Sequence, residues 1–160
     1  MRVYWTALIS AALSLAATGA HAAESKHTLN LHQEKPALTH VDLGATGPSH
    51  GDMLAFEAAV SAEGGLKGVM FGMLMTVDIA EGDDTFEDRA GQIFIDLGGG
   101  NSLAIAGKSV YANNSKEMDP GTPQIRAVIG GTGTYIGARG QITTTRNADG
   151  SYEHKVELLD

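Results

Sequence analysis

The chain has 160 residues, no cysteine and a formal charge of -8 at neutral pH. An acidic chain without a basic patch excludes nucleic acid and anionic lipid as expected partners. Without cysteine there is no disulfide and no thiol chemistry.

Arg2, an apolar stretch from Ala7 to Ala17 and the small-x-small triplet Ala20-His21-Ala22 read as a secretory signal peptide over residues 1–22. The stretch is short for a membrane span. The expectation is a secreted or periplasmic protein with no membrane contact after cleavage. Glu24 to Pro36 is polar with scattered histidines, so residues 23–37 are read as a loose N-terminal arm. One domain, residues 38–160, follows.

Leu38 to Leu43 alternates and reads as a first strand, and Gly44 to Gly51 as a loop. Gly47-Pro48-Ser49-His50-Gly51 matches Gly-x-Ser-x-Gly, but a nucleophile elbow needs a strand before it and a helix after it. Here a loop precedes and a strand pattern follows. Asp52 to Val60 places Leu54, Phe56, Ala58 and Val60 on one face and Met53, Ala55, Glu57 and Ala59 on the other. Leu66 to Ile79 is apolar on both parities, so both of its faces need cover.

Glu81 to Asp84 reads as an acidic hairpin tip. It lacks the spaced ligands of a calcium loop. Phe86 to Leu97 and Ser102 to Ala112 are strands around a Gly98-Gly99-Gly100-Asn101 turn. Asn113 to Pro123 is a polar loop. Ile125 to Ile129 is a short β-branched strand ending at Gly130-Gly131-Thr132-Gly133, and the Thr-rich run Ala138 to Thr145 is the next. That glycine cluster is not a dinucleotide fingerprint, because no helix, parallel strand or distal acid follows. Asn147-Ala148-Asp149-Gly150 turns the chain onto a last strand, Tyr152 to Leu159. About eight strands with glycine turns and no helix imply an all-β sandwich or closed barrel.

Three segments carry a family resemblance. Ala127-Val128-Ile129-Gly130-Gly131-Thr132-Gly133-Thr134-Tyr135, followed by Ala138-Arg139-Gly140, resembles the Val-Val-Gly-Gly-Thr-Gly-x-Phe…Ala-Arg-Gly-Tyr segment of plant dirigent proteins and its counterpart in allene oxide cyclases. Gly51-Asp52-Met53-Leu54-Ala55-Phe56 resembles their Gly-Asp-x-x-x-Phe strand. Ser102 to Gly107 resembles the strand that ends in Gly before a variable loop. The resemblance implies an eight-stranded antiparallel β-barrel with an internal pocket, assembled as a trimer, with a dimer the next choice. It implies activity by positioning: steering a radical coupling, or holding a reactive molecule while it cyclises.

The dirigent His-Asp pair corresponds to His40-Val41-Asp42 here, which nominates Asp42. The family's Arg before the glycine turn aligns with Gln124, and Arg126 lies two residues on, on the same strand face. The polar residues of the cyclase pocket, a Cys among them, have no match. Asp42 and Arg126 are thus the candidate catalytic residues. Glu57, Asp78 and Tyr111, polar residues within strand patterns, are candidate ligand-binding residues, because a polar group facing a lumen is costly unless used. Arg139 reads as structural, paired with a neighbouring acid, and His154, set between Glu153 and Lys155, as an ordinary residue. The scattered histidines make no metal set, and no cofactor is implied.

Three functions stay open: a cyclase or isomerase folding a small apolar molecule in the lumen, a non-catalytic binding protein, and an envelope scaffold.

Overall fold

The computed structural model describes residues 26–79, 86–112 and 115–159. The signal-peptide stretch, the acidic tip 81–84 and Asn113-Asn114 lie outside them. The strands are β1 (Lys26–Gln33), β2 (Ala37–Val41), β3 (Met53–Ser61), β4 (Lys67–Asp78), β5 (Phe86–Asp96), β6 (Ser102–Ala112), β7 (Gln124–Thr132), β8 (Arg139–Arg146) and β9 (Tyr152–Leu159). From β2 to β9 each strand pairs antiparallel with the next in the chain, so the ladder is a meander.

The meander closes through β1. It pairs with β9 along its whole length, from Lys26↔Leu159 to Gln33↔Tyr152, and its last two residues meet β3 at His32↔Ser61 and Gln33↔Val60. β2 then pairs with the rest of that same β3 edge, from Ala37↔Glu57 to Val41↔Met53. β1 and β2 therefore share one position in a closed eight-stranded antiparallel barrel. Glu34 N–H still reaches Ala59 O at 2.9 Å, and the break falls at Pro36, which has no N–H to give.

Residues 26–33 are thus a barrel strand, where the sequence predicts a loose arm. Only Leu29 and Leu31 mark its inner face, and the third inward position is taken by Gln33, which is 3% exposed. A strand with two apolar residues gives a weak alternation signal.

Alternation sorts the other strands as expected. Leu54, Ala58 and Val60 of β3, Ile93 and Ile95 of β5, and Leu103 and Ile105 of β6 are buried inside, with Ile142 and Val156 opposite them. On β4 the inward parity is Met70, Leu74 and Thr76. Val69, Phe71, Met73, Met75 and Val77 face outward and are exposed. Phe94 of β5 stacks on Phe71 on the same outer face, with ring centroids 5.6 Å apart.

β7 runs on through Gly130, Gly131 and Thr132, beyond the sequence reading's end at Ile129, and a tight 3-10 turn, Gly133–Tyr135, follows. Gly133 has φ +61°, the left-handed region that side chains other than Gly resist. At Gly131 a Cβ would fall 2.6 Å from Tyr135 O, so only a residue without one lets the turn fold back. Asn101, from the β5–β6 turn, locks the corner: its Oδ1 accepts Thr134 N–H at 2.9 Å and Thr134 Oγ–H at 3.0 Å.

Candidate functional site

A cavity of about 50 Å³ lies inside the barrel, near the β6–β7 loop. Drug-sized pockets run to roughly 300–1,000 Å³. Side chains therefore fill most of this lumen. The apolar wall is built from inward positions of β2 to β8, including Leu38, Phe56, Met70, Leu74, Ile105 and Ile142. Met118 closes it from the β6–β7 loop and is 3% exposed.

The other wall is polar. Arg126 projects inward from β7 and is 4% exposed. It donates from Nε and Nη2 to Ser109 Oγ, at 2.9 and 2.6 Å, and Nη2 also approaches Gln124 Oε1 at 3.4 Å and Met118 Sδ at 3.9 Å. All of these acceptors are neutral. Among the described residues no carboxylate pairs with Arg126. Burial lowers its pKa, opposed by Tyr111 and Tyr152. A guanidinium nevertheless stays protonated at any pH a protein meets.

Tyr111 and Tyr152 both line the cavity. Burial raises both phenols, and the neighbouring Glu117 carboxylate raises Tyr152 further, so both keep their protons at neutral pH. His154 lines it too and is 3% exposed. Its Nε2 meets Gln33 Oε1 at 2.9 Å and its Nδ1 meets Thr144 Oγ1 at 3.0 Å. The carbonyl oxygen of Gln33 makes Nε2 the protonated nitrogen, and the Thr144 hydroxyl donates to Nδ1. Burial, aided by the Arg126 cation, pushes His154 down to about 3. It is a neutral imidazole.

Two carboxylates stand near this wall, and each has its own arginine. Glu87 pairs with Arg89, both buried and both inward on β5. Arg89 also gives Nη2 to Ser115 O at 2.7 Å, and its guanidinium lies 4.2 Å from the Tyr111 ring centroid. Glu117 takes Arg146 Nη2 at 3.0 Å and the Tyr152 hydroxyl at 3.3 Å. Both arginines tie the β6–β7 loop across the end of the barrel.

Of the residues nominated from sequence, Arg126 and Tyr111 come together in the cavity wall. Asp42 and Glu57 do not. β2 ends at Val41, so Asp42 begins the β2–β3 loop, exposed, with Oδ2 accepting Gly47 N–H at 3.1 Å. The pairing of Asp42 with Arg126 is therefore not made. Glu57 sits on the outward parity of β3 and is exposed. Asp78 ends β4, and its side chain lies outside the described residues.

The buried acid of the Gly51-Asp52 segment is Asp52. It accepts Leu43 N–H at 2.9 Å and Ser49 N–H at 2.8 Å, which lower its pKa, and it pins the loop. Ser49 spends its hydroxyl on Leu43 O at 2.6 Å and on Asp52 at 3.0 Å, so the Gly-x-Ser-x-Gly match is loop structure.

Sequence reading passed over Gln33, Tyr152 and the Glu87–Arg89 pair, and it took His154 as ordinary. The signal for His154 was its parity: Tyr152, Val156 and Leu158 share its face, while Glu153 and Lys155 take the other. Glu87 and Arg89 likewise share the parity of Ile93 and Ile95.

No family model matches the chain, and no curated protein matches it in sequence. Solved structures do match. A pyocyanin demethylase superposes with a TM-score of 0.59 at 21% identity, over 84% of this chain and 100% of that one. A Diels Alderase from Streptomyces koyangensis gives 0.63 at 13% identity, over 84% of this chain and 64% of that one. A pterocarpan synthase dirigent protein gives 0.56 at 15% identity, over 84% and 83%. At such identities the likeness is one of fold: the chain shares the barrel of these proteins.

Proposed function

We propose that the lumen binds one small, largely apolar molecule and guides its rearrangement or ring closure without a cofactor. The observation that carries this is Arg126, a buried cation without a carboxylate partner among the described residues, at the polar end of the cavity. The apolar wall supplies orientation by shape. Arg126 stabilises negative charge as it develops on a substrate oxygen, and a neutral Tyr111 or Tyr152 hydroxyl is positioned to share or return a proton. Asp42, exposed in its loop, is given no part in this chemistry. The solved barrels of the same fold include a demethylase, a Diels Alderase and a dirigent protein, which supports a reaction-guiding role.

The test is organic extraction of the purified protein, with mass spectrometry for a retained ligand, followed by rebinding to Arg126→Ala. Loss of rebinding with the fold intact supports the reading. Unchanged rebinding removes Arg126 from it. The fullness of the lumen favours a second reading, a scaffold barrel without chemistry. The absence of any retained ligand across preparations would select it.

The same reading includes export and self-association. Processing after Ala22 would place the barrel in the periplasm or outside the cell, and N-terminal sequencing of the mature protein checks the cut. The outward row Val69, Phe71, Met73, Met75 and Val77 suits a homotrimer or dimer interface, since closed assemblies cover such patches. Light scattering should show an oligomer that Phe71→Glu reduces to a monomer. A monomeric wild type at micromolar concentration would refute the assembly.

A further inference from the structure

We infer that the lumen ligand is an anion, a small molecule with an apolar body and a single carboxylate, enolate or phenolate oxygen centre, seated on Arg126. This rests on the lumen being the binding site, and it narrows the ligand from an apolar molecule in general to a charged class.

The argument is a charge inventory of the polar end. Three arginines reach it: Arg89, Arg126 and Arg146. Three carboxylates lie near it among the described residues, and all are taken: Glu87 by Arg89, Glu117 by Arg146, and Asp52 by the Leu43 and Ser49 N–H groups. Arg126, which lines the cavity, is the arginine of the three bonded to neutral acceptors alone among the described residues. Among the described residues the only other charged one in the cavity wall is also a cation, Lys116, exposed at the loop. No described Asp or Glu lines the cavity, although the whole chain carries -8.

The remaining polar lining cannot replace a counter-ion. Tyr111 and Tyr152 are neutral phenols, and His154 is a neutral imidazole tied on both nitrogens. An isolated buried cation is costly, and a fold keeps one where an anion arrives to pair with it. Shape agrees with charge. Leu74, Ile93 and Ile105 offer only apolar contact to the body of such a molecule. Met118, unbranched and in contact with Arg126, is the side chain best able to yield to it.

The experiment compares hexanoate with its neutral isostere hexanamide, and with acetate, by calorimetric or NMR titration of the purified protein. Hexanoate should bind roughly ten- to a hundredfold tighter than hexanamide, the range for a hydrogen bond to a charged group. Acetate, which has the charge without the body, should bind much more weakly than hexanoate. Arg126→Gln should abolish the preference for hexanoate while hexanamide binding persists, and Arg126→Lys should retain part of it. Equal affinities for hexanoate and hexanamide in the wild type overturn the anion and leave the lumen site standing. A preference that survives in Arg126→Gln also overturns it. If neither probe perturbs any lumen resonance, the lumen site itself fails and the anion with it. The wild-type comparison needs no variant to fold.

Discussion

His154 Nε2 lies 2.9 Å from Gln33 Oε1, so a hydrogen bond between the last strand and the first crosses the seam where the barrel closes. Thr144 Oγ1 completes the imidazole's partners from β8. Protonating the ring would keep that bond but would place a second buried cation beside Arg126 in a dry site, so the ring stays neutral.

That makes stability dependent on pH with a definite sign. His154 titrates near 3 in the fold and near 6.5 when unfolded. Below about 6.5 the unfolded chain takes up a proton that the folded chain refuses. Stability should therefore fall as pH drops from about 6.5 towards 3, by at most about 1.4 kcal/mol per pH unit from this group. His32 has the opposite sense, since Glu153 raises it, but its half-exposed side chain makes that contribution small. Urea denaturation from pH 7 to pH 4 should show a shallower slope for His154→Gln than for wild type. Parallel slopes would remove the buried imidazole as the cause.

Arg126→Met should make the ligand-free protein more stable. It replaces an unpaired buried charge with an apolar side chain of similar length, in a class of exchange worth about 1–4 kcal/mol when a buried ion pair is replaced. Thermal unfolding checks this: a midpoint above wild type is expected. A lower midpoint would mean that the bonds to Ser109 outweigh the desolvation of the guanidinium.

The Glu87–Arg89 pair predicts the reverse for single changes. Glu87→Gln or Arg89→Met strands one buried charge and should cost about 3–5 kcal/mol. The double variant should recover much of that loss, since no charge is left behind. A double variant as unstable as the sum of the singles would show that the two residues act independently.

Gly133→Val should destabilise the barrel. The position combines φ +61° with Gly100 O only 2.8 Å from where a Cβ would stand. A cost above about 2 kcal/mol in chemical denaturation is expected, from backbone strain of order 1–3 kcal/mol plus the clash. Unchanged stability would mean the turn relaxes freely.

The strands were legible wherever alternation was strong. β3, β5, β6 and β9 all fall close to where periodicity puts them. A tight turn at the glycine cluster was legible too, though it begins only at Gly133, and so was the pocket placement of Arg126 and Tyr111. β1 was not, because its inner face is completed by a glutamine and its hydrogen bonds go to a strand far away in sequence. Asp42 was misplaced because its matched pair is split by Val41 and the strand stops there. His154 was taken as ordinary because its charged neighbours mask its parity. Nothing in linear sequence says that Glu87 and Glu117 each consume an arginine. That accounting exists only once β5, β7, β8 and the β6–β7 loop converge.

Closure through β1 and β9 also governs when the chain can fold at all. The ladder of the earliest described strand is with the latest, Lys26 against Leu159, so no ring can exist during synthesis until Leu159 has left the ribosome. Contacts of such sequence separation make folding slow. Through that interval the apolar β4 segment has no cover from a finished barrel, which exposes the nascent chain to aggregation.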